Sequence, residues 1–279
     1  MHLNVKWEDS NEELEVRVYT HNVRFANQHP AKGEELWEKR KYPIAASIMF
    51  NTFNQNAIVV LQEVLHNQLL DLMKILGDEW TYCGVGRDDG KSKGEYAPII
   101  FRCSQFKVEL NRTFWLSDTP DIPSKGWDAA TFRIVNVALL NHKSSGRVIY
   151  ALNTHLDSQG SVARKMGAKV IKGIIDNLED HDVLVLGGDM NSEPNHEAYP
   201  IFSSFLEDAR KVVDKNLMYG NSSTFTGFTE SERNRIIDYI FVYPGVKVLG
   251  YAVLDNKFED GVYSSDHRPV VANIVIKKK

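Results

Sequence analysis

Gly188-Asp189-Met190-Asn191 and Ser265-Asp266-His267-Arg268-Pro269 hold residue types suited to chemistry. In each, an acid stands with a polar partner against an apolar run: Val183-Leu184-Val185-Leu186 before the first, Pro269-Val270-Val271 after the second. A carboxylate at the mouth of a buried strand costs free energy unless a partner or a reaction uses it. Two such places far apart in the chain imply one site assembled from strand ends. The pattern recurs. Asn22 follows Leu14–Thr20, Gln62-Glu63 follow Ile58–Leu61, His155 follows Val148–Thr154, and Asp238 lies within Ile236–Val242. Singly, each has a plain structural explanation: a solvated loop acid, a structural histidine, a turn-capping aspartate. Together they are different. Carboxylates and amide oxygens are hard ligands suited to Mg²⁺ or Mn²⁺. Histidines offer protons and positive charge near neutral pH. Metal plus histidines around one anion is what phosphate-ester hydrolysis requires. The chain has no Gly-x-Ser-x-Gly, P-loop or His-Glu-x-x-His, and Gly84-x-Gly86-x-x-x-Gly90 misses the dinucleotide spacing.

The elements that must position these residues are short apolar runs alternating with helical patterns. Leu14, Val16 and Val18 alternate with polar neighbours as in a half-buried strand, and 57–61 reads as a buried strand. Further strands are expected at 97–101, 106–110, 134–140, 148–153, 183–186, 236–242, 246–254 and 269–276. A helix over 43–53 would carry Pro43 in its first turn, with Ile44, Ile48 and Met49 on one side. Leu69, Leu72, Met73 and Leu76 mark a helix ending at Gly77, and 162–177 and 196–205 read as helices. So many strands in hairpin order exclude a pure doubly wound sheet, and the helices exclude a plain sandwich. Two packed sheets with helices outside fit best. The irregular stretch from Trp115 to Arg133 has the length of a functional loop.

The 279 residues suit one sizeable core: a polar flank over 1–13 and a single domain over 14–279. A net charge of −4 disfavours a module built mainly to hold nucleic acid by its phosphates. Cys83 and Cys103 form no zinc spacing and no disulfide framework. Neither a signal peptide nor a membrane span is read, so a cytoplasmic monomer is expected, with the nucleus as the other location.

Thr20-His21-Asn22-Val23-Arg24, Leu61-Gln62-Glu63, Asn153-Thr154-His155, Gly188-Asp189-Met190-Asn191, Ile237-Asp238-Tyr239-Ile240 and Ser265-Asp266-His267 occur in that order. In this the chain resembles the endonuclease/exonuclease/phosphatase superfamily, the DNase I-like proteins, and within it a small uncharacterised branch. The resemblance implies an α/β four-layer sandwich: two packed mixed β-sheets with helices on the outer faces. It also implies divalent-metal phosphoester hydrolysis, with Mg²⁺ or Mn²⁺ as cofactor. By position, Glu63 is the main metal ligand, with Asn22 and Asp266 near the metal or its waters. Asp189 aligns or deprotonates the attacking water, and Asn191 helps hold the phosphate. His267, oriented by Asp238, and His155, partnered by Glu95, face the phosphate. Arg133, Tyr96 and Trp127 are candidate substrate contacts, Trp127 and Trp115 being able to stack a base or pack a sugar, or else to anchor their loop. In one departure, Arg24 stands where the abasic-site endonucleases carry an acid, which favours a single metal.

The expected activity is that of a metal-dependent phosphodiesterase, with nucleic acid among its candidate substrates. The alternative is a phosphatase or phosphodiesterase acting on a small sugar, inositol or lipid-headgroup phosphate. A catalytically inactive binding module on the same fold is a weaker rival, since such a module has no reason to keep the whole set of acids and histidines.

Overall fold

The computed structural model describes residues 13–229 and 235–277. The polar flank expected over 1–13 falls outside them except for Glu13. In chain order the elements are β1 (Leu14–Asn22), α1 (Trp37–Asn51), β2 (Ala57–Gln62), α2 (His66–Leu76), β3 (Trp80–Cys83), β4 (Ile99–Arg102) and β5 (Phe106–Trp115). Then follow β6 (Ile134–His142), β7 (Val148–His155), α3 (Ser161–Ile175), β8 (Val183–Asp189), α4 (Tyr199–Phe202) and β9 (Glu207–Asp208). The chain closes with α5 (Ala209–Val212), β10 (Met218–Gly220), β11 (Asp238–Val242), β12 (Lys247–Val253) and β13 (Val270–Ile276).

The strands form two mixed sheets, β10-β12-β13-β1-β2-β4-β3 and β5-β6-β7-β8-β11-β9. Alternation along each strand sends one set of side chains between the sheets and the other outward. Val16, Val18, Ile58 and Val60 meet Ala151, Val185 and Ile240 in the central layer. Outward, Tyr19, Val59 and Leu61 pack with Ile44 and Ile48 of α1 and Leu69 and Leu72 of α2. On the other side Leu152, Leu184 and Leu186 pack with Ala168 and Ile171 of α3. The result is the expected four layers of helix, sheet, sheet and helix. Burying each large aliphatic side chain contributes about 1.5–3 kcal/mol.

Several boundaries differ from the sequence reading, for physical reasons. The helix expected over 43–53 begins at Trp37, so Pro43 lies inside it. Its first turns were hidden because their buried face is Trp37 and Arg40 rather than an aliphatic stripe. Met49, assigned to that stripe, is exposed. The helix expected over 196–205 is one turn, Tyr199–Phe202; Pro200 in that turn has no N–H to bond back toward His196, so the helix starts no earlier. The strand expected to start at 97 starts at Ile99; the Pro98 carbonyl accepts from Leu61 N and Asn153 Nδ2 instead. β5 runs on to Trp115 past a register shift at Val108/Leu110, and β3, β9 and β10 are too short to show a period.

Arg40 ties the fold to the site. Fully buried, it donates from Nη1 to the carbonyls of Val23 (2.7 Å) and Ser264 (3.0 Å) and from Nη2 to those of Arg24 and Phe25. One guanidinium thus joins the turn after β1 to the segment carrying Asp266.

Candidate active site

In the six-stranded sheet, parallel β7 and β8 place His155 opposite Asp189, and antiparallel β11 places Asp238 opposite Asp189. One row of that sheet therefore presents all three side chains at one edge. In the seven-stranded sheet, parallel β1 and β2 set Asn22 opposite Gln62, with Glu63 next. Asp266 and His267 arrive at the same edge because they lead into β13, which runs antiparallel to β1. Gly187 lets the two sheets close here: a Cβ on it would come within 2.5 Å of Val60 Cγ2. Among the described residues, three of the six non-glycine residues with positive φ, namely Arg24 (57°), Glu63 (59°) and Asn191 (44°), lie in these strand-end turns. Left-handed backbone of this kind concentrates where function over-determines the chain.

The hydrogen bonds link both sheets. Asn22 Nδ2 donates to Glu63 Oε1 and to Asp189 Oδ2, both at 3.0 Å, while its Oδ1 accepts from Arg24 N. The amide nitrogen therefore faces the two carboxylates, and Asn22 acts here as the bridge between them. Asp189 Oδ1 accepts from Asn191 N at 2.8 Å. Asn191 Nδ2 donates to the Leu156 carbonyl and to His155 Nε2, each at 3.0 Å. The Leu156 carbonyl can only accept, so the amide orientation is fixed, His155 Nε2 is an acceptor and its proton sits on Nδ1. His267 Nδ1 lies 2.8 Å from Asp238 Oδ2, and its Nε2 is 3.6 Å from Asp189 Oδ2.

The electrostatics separate the two histidines. Burial opposes charge on His267, yet Asp238 and Asp189 overcome it and raise its pKa to about 10. Burial, reinforced by the Arg133 guanidinium, depresses His155 to about 3. Asp189 is raised by burial and by Asp238, which makes it a stronger base than an ordinary aspartate. Asp266 is also raised, by burial first, with His267 opposing and Glu63 adding.

Among the described residues, ligand atoms of Asp189, Asp238 and His267 lie within 4.8 Å of one another. This is not the metal set read from the sequence. An imidazolium between two carboxylates has no free lone pair for a cation, so these three form a proton-holding group. A divalent ion fits better beside Glu63 and Asp266. These are two carboxylates in a buried site; Asp266 feels the charge of Glu63, and Arg24, 3.8 Å from Glu63, is their cationic neighbour.

A cleft of about 360 Å³ brings together Glu63, Glu95, Arg133, His155, Asp189, Asn191, Asp266 and His267. Asn22 and Asp238 touch it through their partners. Two further sequence candidates are not in this lining either. Tyr96 is buried, its hydroxyl bonded to the Lys91 carbonyl and to His66 Nδ1. Trp127 sits in the loop before β6. Trp115 is a loop anchor, donating to the Arg87 carbonyl. Sequence reasoning missed Phe225 and Arg235 on the outer wall, where the Arg235 guanidinium lies 5.2 Å from the Phe225 ring. It also missed Asp157, a buried acid just past β7 that follows the same strand-end rule as Asp189.

The Endonuclease/Exonuclease/phosphatase family model matches residues 19–267, from the middle of β1 to the imidazole held by Asp238. The chain belongs to this family. No curated sequence matches it. Among solved structures, a mannosyl-6-phosphatase from Bacteroides thetaiotaomicron is 33% identical, with a TM-score of 0.86 over 94% of this chain and 100% of that one. An endonuclease/exonuclease/phosphatase from Bacteroides vulgatus is 34% identical, with a TM-score of 0.86 over 94% of this chain and 99% of that one. The human Nocturnin catalytic domain with bound sulfate is 20% identical, with a TM-score of 0.71 over 94% and 95%; it shares the fold alone. Among the described residues, no helix is long and apolar enough to cross a membrane. As a member of this family the chain is a phosphoester hydrolase.

Proposed function

We propose that the chain is a divalent-metal-dependent phosphatase acting on the phosphate monoester of a small polar molecule, a sugar phosphate in the first instance. The observation that carries this reading is the cleft itself. At about 360 Å³ it has the size of a small-ligand pocket, and it holds a cationic histidine, a basic aspartate and surplus carboxylate together. The mannosyl-6-phosphatase relative supports the monoester. The net charge of −4 supports a small substrate over the phosphodiester backbone of a nucleic acid.

Glu63 and Asp266 would hold Mg²⁺ or Mn²⁺, with Asn22 beside them. Such an ion supplies positive charge to the phosphate oxygens as negative charge builds on them. His267 supplies a second positive charge at Nε2, since Asp238 keeps it protonated. Asp189 Oδ2 orients the attacking water and accepts its proton. Asn191 is fixed by the Leu156 carbonyl and positions its neighbours, its Nδ2 donating to His155 and its backbone N–H to Asp189. His155, neutral, accepts from Asn191 and holds that amide in place.

The test is a panel of hexose 6-phosphates, inositol phosphates, and DNA and RNA oligonucleotides, each with Mg²⁺, with Mn²⁺ and with chelator. Turnover of a sugar phosphate that needs the metal is expected. Oligonucleotide cleavage with a higher kcat/KM than any monoester would replace this reading with the phosphodiesterase one.

A further inference from the structure

A recess adjoins the cleft at Arg133, His155 and Glu95, which line both. Its volume is about 10 Å³, room for one oxygen with its hydrogens. Arg133 Nη1 and His155 Nδ1 are buried there without a hydrogen-bond partner, as is Arg87 Nε, which lies 3.9 Å from Asp88 Oδ1. A buried N–H with no acceptor is costly, and Arg133 cannot swing away to find one. Its Nε donates to Asp157 Oδ2 at 3.1 Å, and Asp157 is itself held by the backbone N–H groups of Ala130, Gln159 and Gly160.

The recess also has an acceptor. Glu95 takes two bonds from Arg87, at 2.6 and 2.9 Å, and its Oε2 stands 3.7 Å from His155 Nδ1. Its oxygens keep lone pairs to spare. Arg133 is balanced by Asp157 and Arg87 by Glu95, so the recess does not call for a second anion. Donors on one side and a carboxylate on the other, around the space of one oxygen, complement a hydroxyl. The His155 ring is the partition: Nε2 faces Asp189 and Asn191, and Nδ1 faces the recess.

We propose that this recess reads a hydroxyl on the non-reacting part of the substrate, with Arg133 as the specificity-determining residue. The inference rests on the monoester reading and narrows it: the leaving group is a polyol, bound through an oxygen that accepts from Arg133 and His155 and donates to Glu95. A site built to bond a hydroxyl rejects the analogue that lacks it by far more than a lost methylene would.

The experiment compares kcat/KM for a hexose 6-phosphate and for n-propyl phosphate, with Mg²⁺ saturating, in three proteins. They are the parent, Arg133→Lys, whose ammonium can still pair with Asp157 but has no second nitrogen to project, and Arg133→Met/Asp157→Asn, which leaves no unpaired buried charge. A thermal melt certifies each fold. The parent should prefer the sugar phosphate by about 100-fold or more, and the preference should fall below about 5-fold in both variants. A parent without preference, or a preference that survives in either folded variant, overturns the proposal and leaves the recess to a water molecule. If neither monoester turns over, the proposed activity is refuted. The same pair is then compared by calorimetric dissociation constant, where equal affinity for the two overturns the recess as well.

Discussion

His155 and His267 flank one carboxylate oxygen, Asp189 Oδ2, at 3.5 and 3.6 Å, and both are buried. Their charge states are nonetheless opposite. Behind His267 stands Asp238, 2.8 Å from Nδ1; behind His155 the Glu95 carboxylate is 3.7 Å from Nδ1, and the Arg133 and Arg87 guanidiniums add to the burial that disfavours its charge. The shared neighbour cannot separate them, so the residues behind them do. A carboxylate at hydrogen-bonding distance keeps one ring charged, and a more distant one offset by guanidiniums leaves the other neutral.

The comparison collapses if the shared oxygen is neutralised. Asp189→Asn should lower kcat by about 10²- to 10⁴-fold, with the fold retained, as measured by steady-state rates on the best monoester alongside a melt. Near-parental turnover would remove Asp189 from the chemistry. Next in size, Asp238→Asn keeps the shape of the pair but removes its charge. His267 then loses its proton more readily, so the alkaline limb of the pH–rate profile should move to lower pH. The plateau should fall about 10- to 100-fold. An alkaline limb that stays in place would make Asp238 a structural acid only.

Nitrogen NMR of labelled histidines sharpens the contrast without a mutation. Between pH 5 and 8 His155 should report a neutral ring with its proton on Nδ1, and His267 a ring protonated on both nitrogens. Two rings titrating together near 6.5 would erase the distinction. The smallest expected effect is on stability. His155 and His21 are both held near 3 by burial, so the unfolded chain takes up protons that the folded one refuses as pH drops below about 6.5. Their effect is a loss of stability from there toward pH 3. His267 acts in the opposite window: its contribution is full below about 6.5 and is lost as pH rises toward 10. Melts across pH should therefore peak near the middle, and Asp238→Asn should flatten only the alkaline side.

Strand-end acids made much of the site legible. Asp189, Glu63, Asp238 and Asp266 could be picked out because a carboxylate beside an apolar run is conspicuous against hydrophobic periodicity. Asp157 obeys the same rule but follows a histidine that already drew attention. Arg40 was illegible because its burial is made possible by backbone carbonyls from residues 23 to 25 and 264, and no side-chain pattern announces a carbonyl. Tyr96 and Trp127 lie outside the cleft lining: the Tyr96 hydroxyl bonds to the Lys91 carbonyl and to His66, and its side chain borders the small recess beside His155.

By itself the sequence determined the two-sheet core, the family and the roster of titratable groups, because period-two apolar runs and the residues that interrupt them are local. The state of each group was not local. The Asp189 pairings with His155 and Asp238 depend on strand register across β7, β8 and β11. The closeness of Glu63 to Asp189, bridged by Asn22, depends on two sheets meeting at Gly187. Which histidine holds a proton was therefore decided by tertiary structure, since charge–charge energies in a buried cleft vary with distances of a few ångströms between segments far apart in the chain.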